Sequence, residues 1–328
     1  MKRLFLLIFL GTLLGSCESN SLQKAVRMEG FIFGTSYSIV YTNTDVNYQN
    51  SIDSLFHLVN SSTSTYIASS LISRINKGDT TVIADAILLE LLEKSKDIYQ
   101  KTAGYFDPTV GNLVNAWGFG PQKEKNDLDS IEVKQQMQWV GLDKIQIFQN
   151  KILKKYPQMY LDFNAIGKGF GIDVIARFLD SKKVANYLIE IGGEIRAKGV
   201  KDNGKPWRVQ IEDPTLNNRE GFTILNVSNK SMATSGNYRK FRIADNGQKY
   251  VHTVNPKTGF ATESNLLSVS VIAPIDCADV DAYATAFMAM GVEKTKDFLE
   301  KTPDLQAILI YWDAQQNLTS YSNYVDGL

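Results

Sequence analysis

Asp162-Phe163-Asn164-Ala165-Ile166-Gly167-Lys168-Gly169, continued by Phe170-Gly171-Ile172-Asp173-Val174-Ile175-Ala176-Arg177-Phe178-Leu179, is the stretch from which the rest of the chain is read. Ile172, Ile175, Phe178 and Leu179 fall three and four residues apart, which predicts a helix over 167–179 with one apolar face. A Gly-Lys-Gly triplet at the head of a helix can turn backbone N–H groups, the positive helix end and an ammonium toward an anion. It is not a Walker sequence, because the glycine-to-lysine spacing and the Ser or Thr after the lysine are missing. A turn that starts the helix explains the same glycines.

Toward the N-terminus, Phe31, Phe33, Tyr37, Ile39 and Tyr41 alternate with other residues around Gly34-Thr35, a strand signal with a break. Ile52, Leu55, Phe56 and Val59 have helical spacing, as do Ile87, Leu88, Leu91, Leu92, Ile98 and Tyr99, with Gly104 as the stop. In the other direction, strands are predicted at 187–191, 207–211, 222–227 and 267–272, and helices at 279–290 and 292–300. A final, apolar strand at 307–311 belongs inside a sheet. Helices and strands intermix without a steady strand-helix-strand alternation, so the class is α+β rather than a doubly wound sheet.

Hydrophobic residues make up 44% of the 328, enough to exclude disorder as the main description. Basic and acidic residues balance at 35 each, so no bulk field draws the protein to nucleic acid, and a polyanionic partner has to be met by local geometry. No repeat divides the chain, and no linker forces two domains.

Residues 1–16 carry Lys2-Arg3, the apolar run from Leu4 to Leu10, and Leu13-Leu14-Gly15-Ser16 before Cys17, the regions of an export signal. The run is too short to span a bilayer, which takes about 20 apolar residues. Leu14-Gly15-Ser16-Cys17 resembles the bacterial lipobox, in which Cys17 becomes a lipidated (palmitate-bearing) amino terminus. An ordinary cleaved signal with an incidental cysteine is the alternative. Polar residues 17–27 read as a tether, leaving a domain over 28–328. Cys277, without an in-chain partner once Cys17 is acylated, reads as a small buried hydrophobe.

Three more clusters stand out. They are Gly104-Tyr105-Phe106-Asp107-Pro108-Thr109-Val110-Gly111; Ala233-Thr234-Ser235-Gly236-Asn237-Tyr238 with His252-Thr253-Val254-Asn255-Pro256-Lys257-Thr258-Gly259; and Asp279-Val280-Asp281-Ala282-Tyr283-Ala284-Thr285-Ala286. Asp281 and Thr285, four apart on a predicted helix, present a carboxylate and a hydroxyl from one face. Magnesium takes such oxygen donors and keeps positions open for phosphates. A solvated aspartate beside a threonine bonded to its own helix fits equally. His57 on the early helix reads as structural, whereas His252 sits in a turn-rich stretch from which an imidazole can reach a substrate. Two histidines and one remaining thiol do not make a zinc site, and the Gly-x-Ser-x-Gly elbow of a serine hydrolase is missing.

In order and type, these clusters, together with Gly34-Thr35-Ser36-Tyr37 and Gly192-Gly193-Glu194, resemble the ApbE family of FAD:protein FMN transferases, bacterial lipoproteins that attach flavin to other proteins. The resemblance covers nearly all of the mature chain. It implies α+β architecture with mixed sheets and packed helices, and an active cleft between the two halves of one compact body. It also implies a magnesium-dependent reaction in which a Thr or Ser hydroxyl of a target protein attacks the FMN-side phosphorus of FAD, releasing AMP. Asp281, Thr285 and the Ala165 carbonyl are then the metal ligands. Asp162 and Lys168 contact FAD, Tyr66 borders a ring of it, and Phe33, Phe106, Asp107 and Thr109 line the cleft. His252 either receives the hydroxyl proton or holds a phosphate oxygen.

The implied partners are flavin-acceptor proteins, such as subunits of ion-pumping electron-transfer complexes. The implied location is the periplasmic side of the inner or outer membrane, through the lipid. Phe33 replaces the family's methionine, Asn164-Ala165 a glycine-rich pair, and Asn255 an aspartate, while Glu194 keeps the acidic charge at longer reach. A magnesium-dependent FAD pyrophosphatase and a non-catalytic flavin-binding lipoprotein are the alternatives.

Overall fold

The computed structural model describes residues 25–122, 128–215, 221–237, 241–243, 249–261 and 264–325. The export signal at 1–16, Cys17 and Tyr238 lie outside the described residues. The first strand begins at Val26, inside the stretch read as tether and two residues ahead of Met28. Among the described residues no helix is long and apolar enough to cross a membrane.

Eight strands among the described residues form the main sheet: Val26–Ile32, Thr35–Thr42, Asn186–Ile191, Glu194–Lys198, Ser231–Gly236, Leu266–Ala273, Gln306–Trp312 and Leu318–Ser322. They lie side by side in that order, antiparallel at every pairing. Spatial order follows chain order, so the sheet is a meander with helices and smaller ribbons inserted between its strands. Among the described residues, six α-helices follow the second strand: α1 (Gln49–Thr63), α2 (Leu71–Asn76), α3 (Ala86–Lys101), α4 (Gly111–Ala116), α5 (Ser130–Met137) and α6 (Gly167–Ser181). The last two, α7 (Cys277–Met290) and α8 (Val292–Lys301), precede Gln306–Trp312.

Side-chain alternation along the strands decides what covers each face. Ile39 and Tyr41, Val269 and Val271, and Ala307 and Leu309 join the larger core, to which α1, α3, α6 and α7 contribute. Their neighbours Val40, Ile272, Ile308 and Ile310 face the other way, onto Trp207, Ile211 and Leu225 around the ribbon of Arg208–Glu212 and Gly221–Asn226. Burial on both faces explains why 307–311 is apolar throughout. That strand is interior but not last, because Leu318–Ser322 pairs along its far side as the sheet edge.

The chain passes from Asn186–Ile191 to Glu194–Lys198 through Gly192-Gly193, both left-handed at φ +62° and +100°. A β-carbon at Gly192 would also stand 2.6 Å from the Thr35 methyl, so glycine is required there. α6 and α7 are locked at their heads by a borrowed cap. Asp276, the residue before α7, makes no side-chain cap. Instead Asp173 of α6 accepts from the Cys277 and Ala278 N–H groups at 2.9 and 2.8 Å. Arg196 pairs with both Asp173 and Asp276, and Lys94 of α3 reaches Asp276 at 2.8 Å and Asp279 at 3.2 Å. Burial, reinforced by the charge of Asp276 and opposed by Arg196, raises the Asp173 carboxyl to about 6.

Candidate active site

At the head of α6 the Gly169 N–H donates to Asp281 Oδ2 of α7 at 3.1 Å. The helices meet so closely that a β-carbon on Gly169 would lie 2.4 Å from the Cys277 carbonyl oxygen. In a helix begun one turn earlier, that N–H would bond back to Ala165. Because it goes to Asp281, the Ala165 carbonyl accepts no hydrogen bond among the described residues. Asp281 is 2% exposed, and burial raises its carboxyl against the opposing Lys168 charge and the Gly169 N–H. One turn along, the Thr285 hydroxyl is 3.3 Å from Ser235 Oγ on the strand Ser231–Gly236.

Lys168, beside Gly169, places its Nζ 3.1 Å from Glu194 Oε1. Glu194 stands at the start of its strand just past the Gly192-Gly193 turn, 3% exposed, with Oε2 lacking a hydrogen-bond partner. Burial would lower the lysine, but the charges of Glu194 and Asp281 outweigh it and hold the ammonium form. Burial pushes Glu194 up, Lys168 pulls it down, and Asp281 adds to the rise.

The loop ahead of α6 connects this cluster to the α4 side of the body. Asn76 pins Leu161 by two 2.8 Å hydrogen bonds, and the Asp162 N–H donates to Pro108 O at 2.8 Å. Asp162 is buried and raised by that burial, while its carboxylate accepts the Asn164 N–H. Tyr66 is 62% exposed, and its hydroxyl is raised by partial burial and by the charge of Asp162, which sets the two near each other. His252 is half-buried. The next residue, Thr253, donates to Asn237 Oδ1 at 2.9 Å, two positions beyond Ser235, so His252 is tethered to the end of the strand that faces Thr285.

Four of the residues expected along the cleft are held by internal contacts. Phe106, Asp107 and Thr109 are buried, and their polar groups are spent inward. Asp107 Oδ1 accepts from the Thr109 N–H and hydroxyl at 2.8 and 2.6 Å, and Thr109 Oγ1 accepts from the Gly141 N–H at 2.7 Å. These bonds hold the 107–109 turn together and tie it to Gly141. Phe33, in the left-handed region at φ +50°, lays its ring over Gly171 and edge-on to Phe56, inside α6 rather than at its head. Two further residues belong here, Glu194 and Ser235, which the sequence reading named within motifs without giving either a role at the site. For Glu194 the signal was present in the Gly-Gly turn that delivers it.

The donors brought together are a carboxylate, a hydroxyl and an unused backbone carbonyl, all oxygen, a set that fits magnesium. No cluster of three His, Cys, Asp or Glu able to hold a metal stands among the described residues. A cation here would therefore take its remaining ligands from water or substrate phosphates.

The ApbE family model matches residues 33–309. FAD:protein FMN transferases of Haemophilus influenzae and Vibrio cholerae are 34% and 36% identical to this chain, over 88% and 86% of it and 86% of each of theirs. Among solved structures, the flavin transferase ApbE from Vibrio cholerae superposes with a TM-score of 0.80 at 31% identity, over 92% of this chain and 97% of that one. The apo form of the Pseudomonas stutzeri flavinyl transferase ApbE gives 0.82 at 26% identity, over 92% and 95%. The matched span runs from Phe33, through both helices of the site, to Leu309 in the sheet beneath them, and the chain belongs to the ApbE family.

Proposed function

We propose that the protein is a metal-dependent FAD:protein FMN transferase, moving FMN from FAD to a Thr or Ser hydroxyl of a target protein and releasing AMP. The observation that carries this reading is the convergence of Asp281, Thr285 and the unused Ala165 carbonyl beside Lys168. The bond that forms joins the acceptor oxygen to the FMN-side phosphorus. The bond that breaks joins that phosphorus to the bridging oxygen, which leaves with AMP and the electron pair. His252 takes the hydroxyl proton. Lys168 balances diphosphate charge, and Asp162 and Tyr66 hold the dinucleotide at the α4 side. Magnesium on Asp281, Thr285 and Ala165 would supply charge neutralisation at the diphosphate.

Incubating the mature protein with FAD, magnesium and a flavin-acceptor protein is expected to give a covalent fluorescent adduct and one AMP per adduct. AMP without adduct would replace this reading with FAD hydrolysis. We also place the protein on the periplasmic face of a membrane through lipid on Cys17, a reading supported by Leu14-Gly15-Ser16-Cys17. Processing is expected to be sensitive to globomycin. A Cys17→Ala protein that remains membrane-bound would overturn the anchor.

A further inference from the structure

Two buried carboxylates, Glu194 and Asp281, share one ammonium. Lys168 Nζ lies 3.1 Å from Glu194 Oε1, and the charge of Asp281 acts on both Lys168 and Glu194. Asp281 Oδ2 is already engaged by the Gly169 N–H. Asp281 is the one anionic donor in the proposed ligand set, so an ammonium drawn to it and a divalent cation would compete for the same carboxylate. Lys168 cannot move out of this competition by its backbone, because it sits in the first turn of α6, next to the residue that bonds Asp281. Only its side-chain direction is free to be chosen, and the stronger carboxylate partner chooses it.

We propose that Glu194 is a positioning residue that holds the Lys168 ammonium off Asp281 and thereby keeps Asp281 available to the cation. The proposal rests on the metal-dependent reading above. The surrounding frame suits that role, since the Gly192-Gly193 turn fixes the start of the strand, and Glu194 is 3% exposed with water excluded around Oε2. A buried ion pair of this kind holds its partner in one direction, whereas a solvated glutamate would let the lysine swing. Removing the Glu194 charge leaves Asp281 as the nearest anion, and the lysine closes on it.

The test is a calorimetric titration of Mg2+ into the mature protein without FAD, so that the part Lys168 plays at the diphosphate does not enter, with thermal melts to verify folding. Glu194→Gln is expected to weaken cation binding about tenfold, the scale of one charge-assisted contact. The double variant Lys168→Met/Glu194→Gln is expected to bind the cation as the wild type does, because the competitor is gone. Lys168→Met alone, which leaves the strand untouched, is expected to bind it no more weakly than the wild type and serves if Glu194→Gln does not fold. A Glu194→Gln protein with wild-type affinity would overturn the proposal, as would a double variant as weak as the single one, since Glu194 would then act on the cation itself. A wild-type protein that takes up no Mg2+ would instead overturn the metal-dependent reading on which it stands.

Discussion

Gly169 and Asp281 join α6 to α7 through a backbone-to-carboxylate hydrogen bond of 3.1 Å, at a crossing where residue 169 has no room for a β-carbon. The obstructing atoms are backbone, the Cys277 carbonyl at 2.4 Å and the Ala278 nitrogen at 2.7 Å, and cannot rotate away. Gly169→Ala therefore has to part the helices and pull the N–H from Asp281. The expected cost is about 1–3 kcal/mol of stability, as for overpacked cores, together with a loss of turnover. Urea melts and an adduct assay check both, and normal values would mean that the crossing gives more easily than its geometry allows.

Asp281→Asn separates charge from shape. The amide oxygen can still accept the Gly169 N–H, while the anionic donor disappears. Turnover is expected to fall about 10²–10³-fold, the range seen when a group stabilising developing charge is removed. Thermal stability is expected to hold or rise, because burial already disfavours the carboxylate at this position. A variant that turns over normally would refute the metal-ligand assignment.

The two helices of the site were legible because Ile172, Ile175 and Phe178 repeat at helical spacing and Asp281 and Thr285 share a face. The strand between them was not. Ser231-Met232-Ala233-Thr234-Ser235-Gly236 is mostly small and polar, and it extends because the ladders of Glu194–Lys198 and Leu266–Ala273 hold it on both sides. The edge strand Leu318–Ser322 was missed for a related reason, since an edge half-open to water carries no strong alternation. Glu194 was visible as a motif, but its burial depends on Lys168, 26 positions away, which local pattern does not encode. Conversely, the motif Phe106-Asp107-Pro108-Thr109 does not say which way its hydrogen bonds point, and the bond from Gly141 to Thr109 spans 32 positions.

Asp107 makes the fold sensitive to pH in a definite direction. Burial raises its carboxyl to about 6, with the Thr109 and Leu142 hydrogen bonds and the Asp143 charge as smaller influences. Between the ordinary value of 3.8 and about 6 the folded chain binds a proton that the unfolded chain has lost, so stability falls as pH rises through this window. Asp173 has the same sign, while Asp276, held down by Lys94 and Arg196 against its burial, has the opposite sign and acts only below this window. Asp107→Asn removes one contribution. Relative to wild type the variant is expected to gain up to about 3 kcal/mol between pH 4 and pH 6, at about 1.4 kcal/mol for each tenfold change in proton affinity. Parallel melts across that range check it, and a constant difference between the two proteins would refute the raised carboxyl.

Asn255, where the resemblance leads one to expect an aspartate, is bound to α7 by a bond an aspartate cannot make. Its Nδ2 donates to the Ala289 carbonyl at 3.0 Å near the end of that helix, while its Oδ1 accepts the Lys257 N–H at 2.9 Å. The same residue's backbone closes the turn that follows His252, accepting from Gly259 at 2.8 Å and donating to Phe260 O at 2.9 Å. Asn255→Asp would set a carboxylate oxygen against a carbonyl oxygen, with nothing between them to donate. The substitution is therefore expected to destabilise this chain by about 1–3 kcal/mol and to lower turnover by loosening the turn that carries His252. An Asn255→Asp protein that melts higher or turns over faster than wild type would show that electrostatics at this corner outweighs the lost tether.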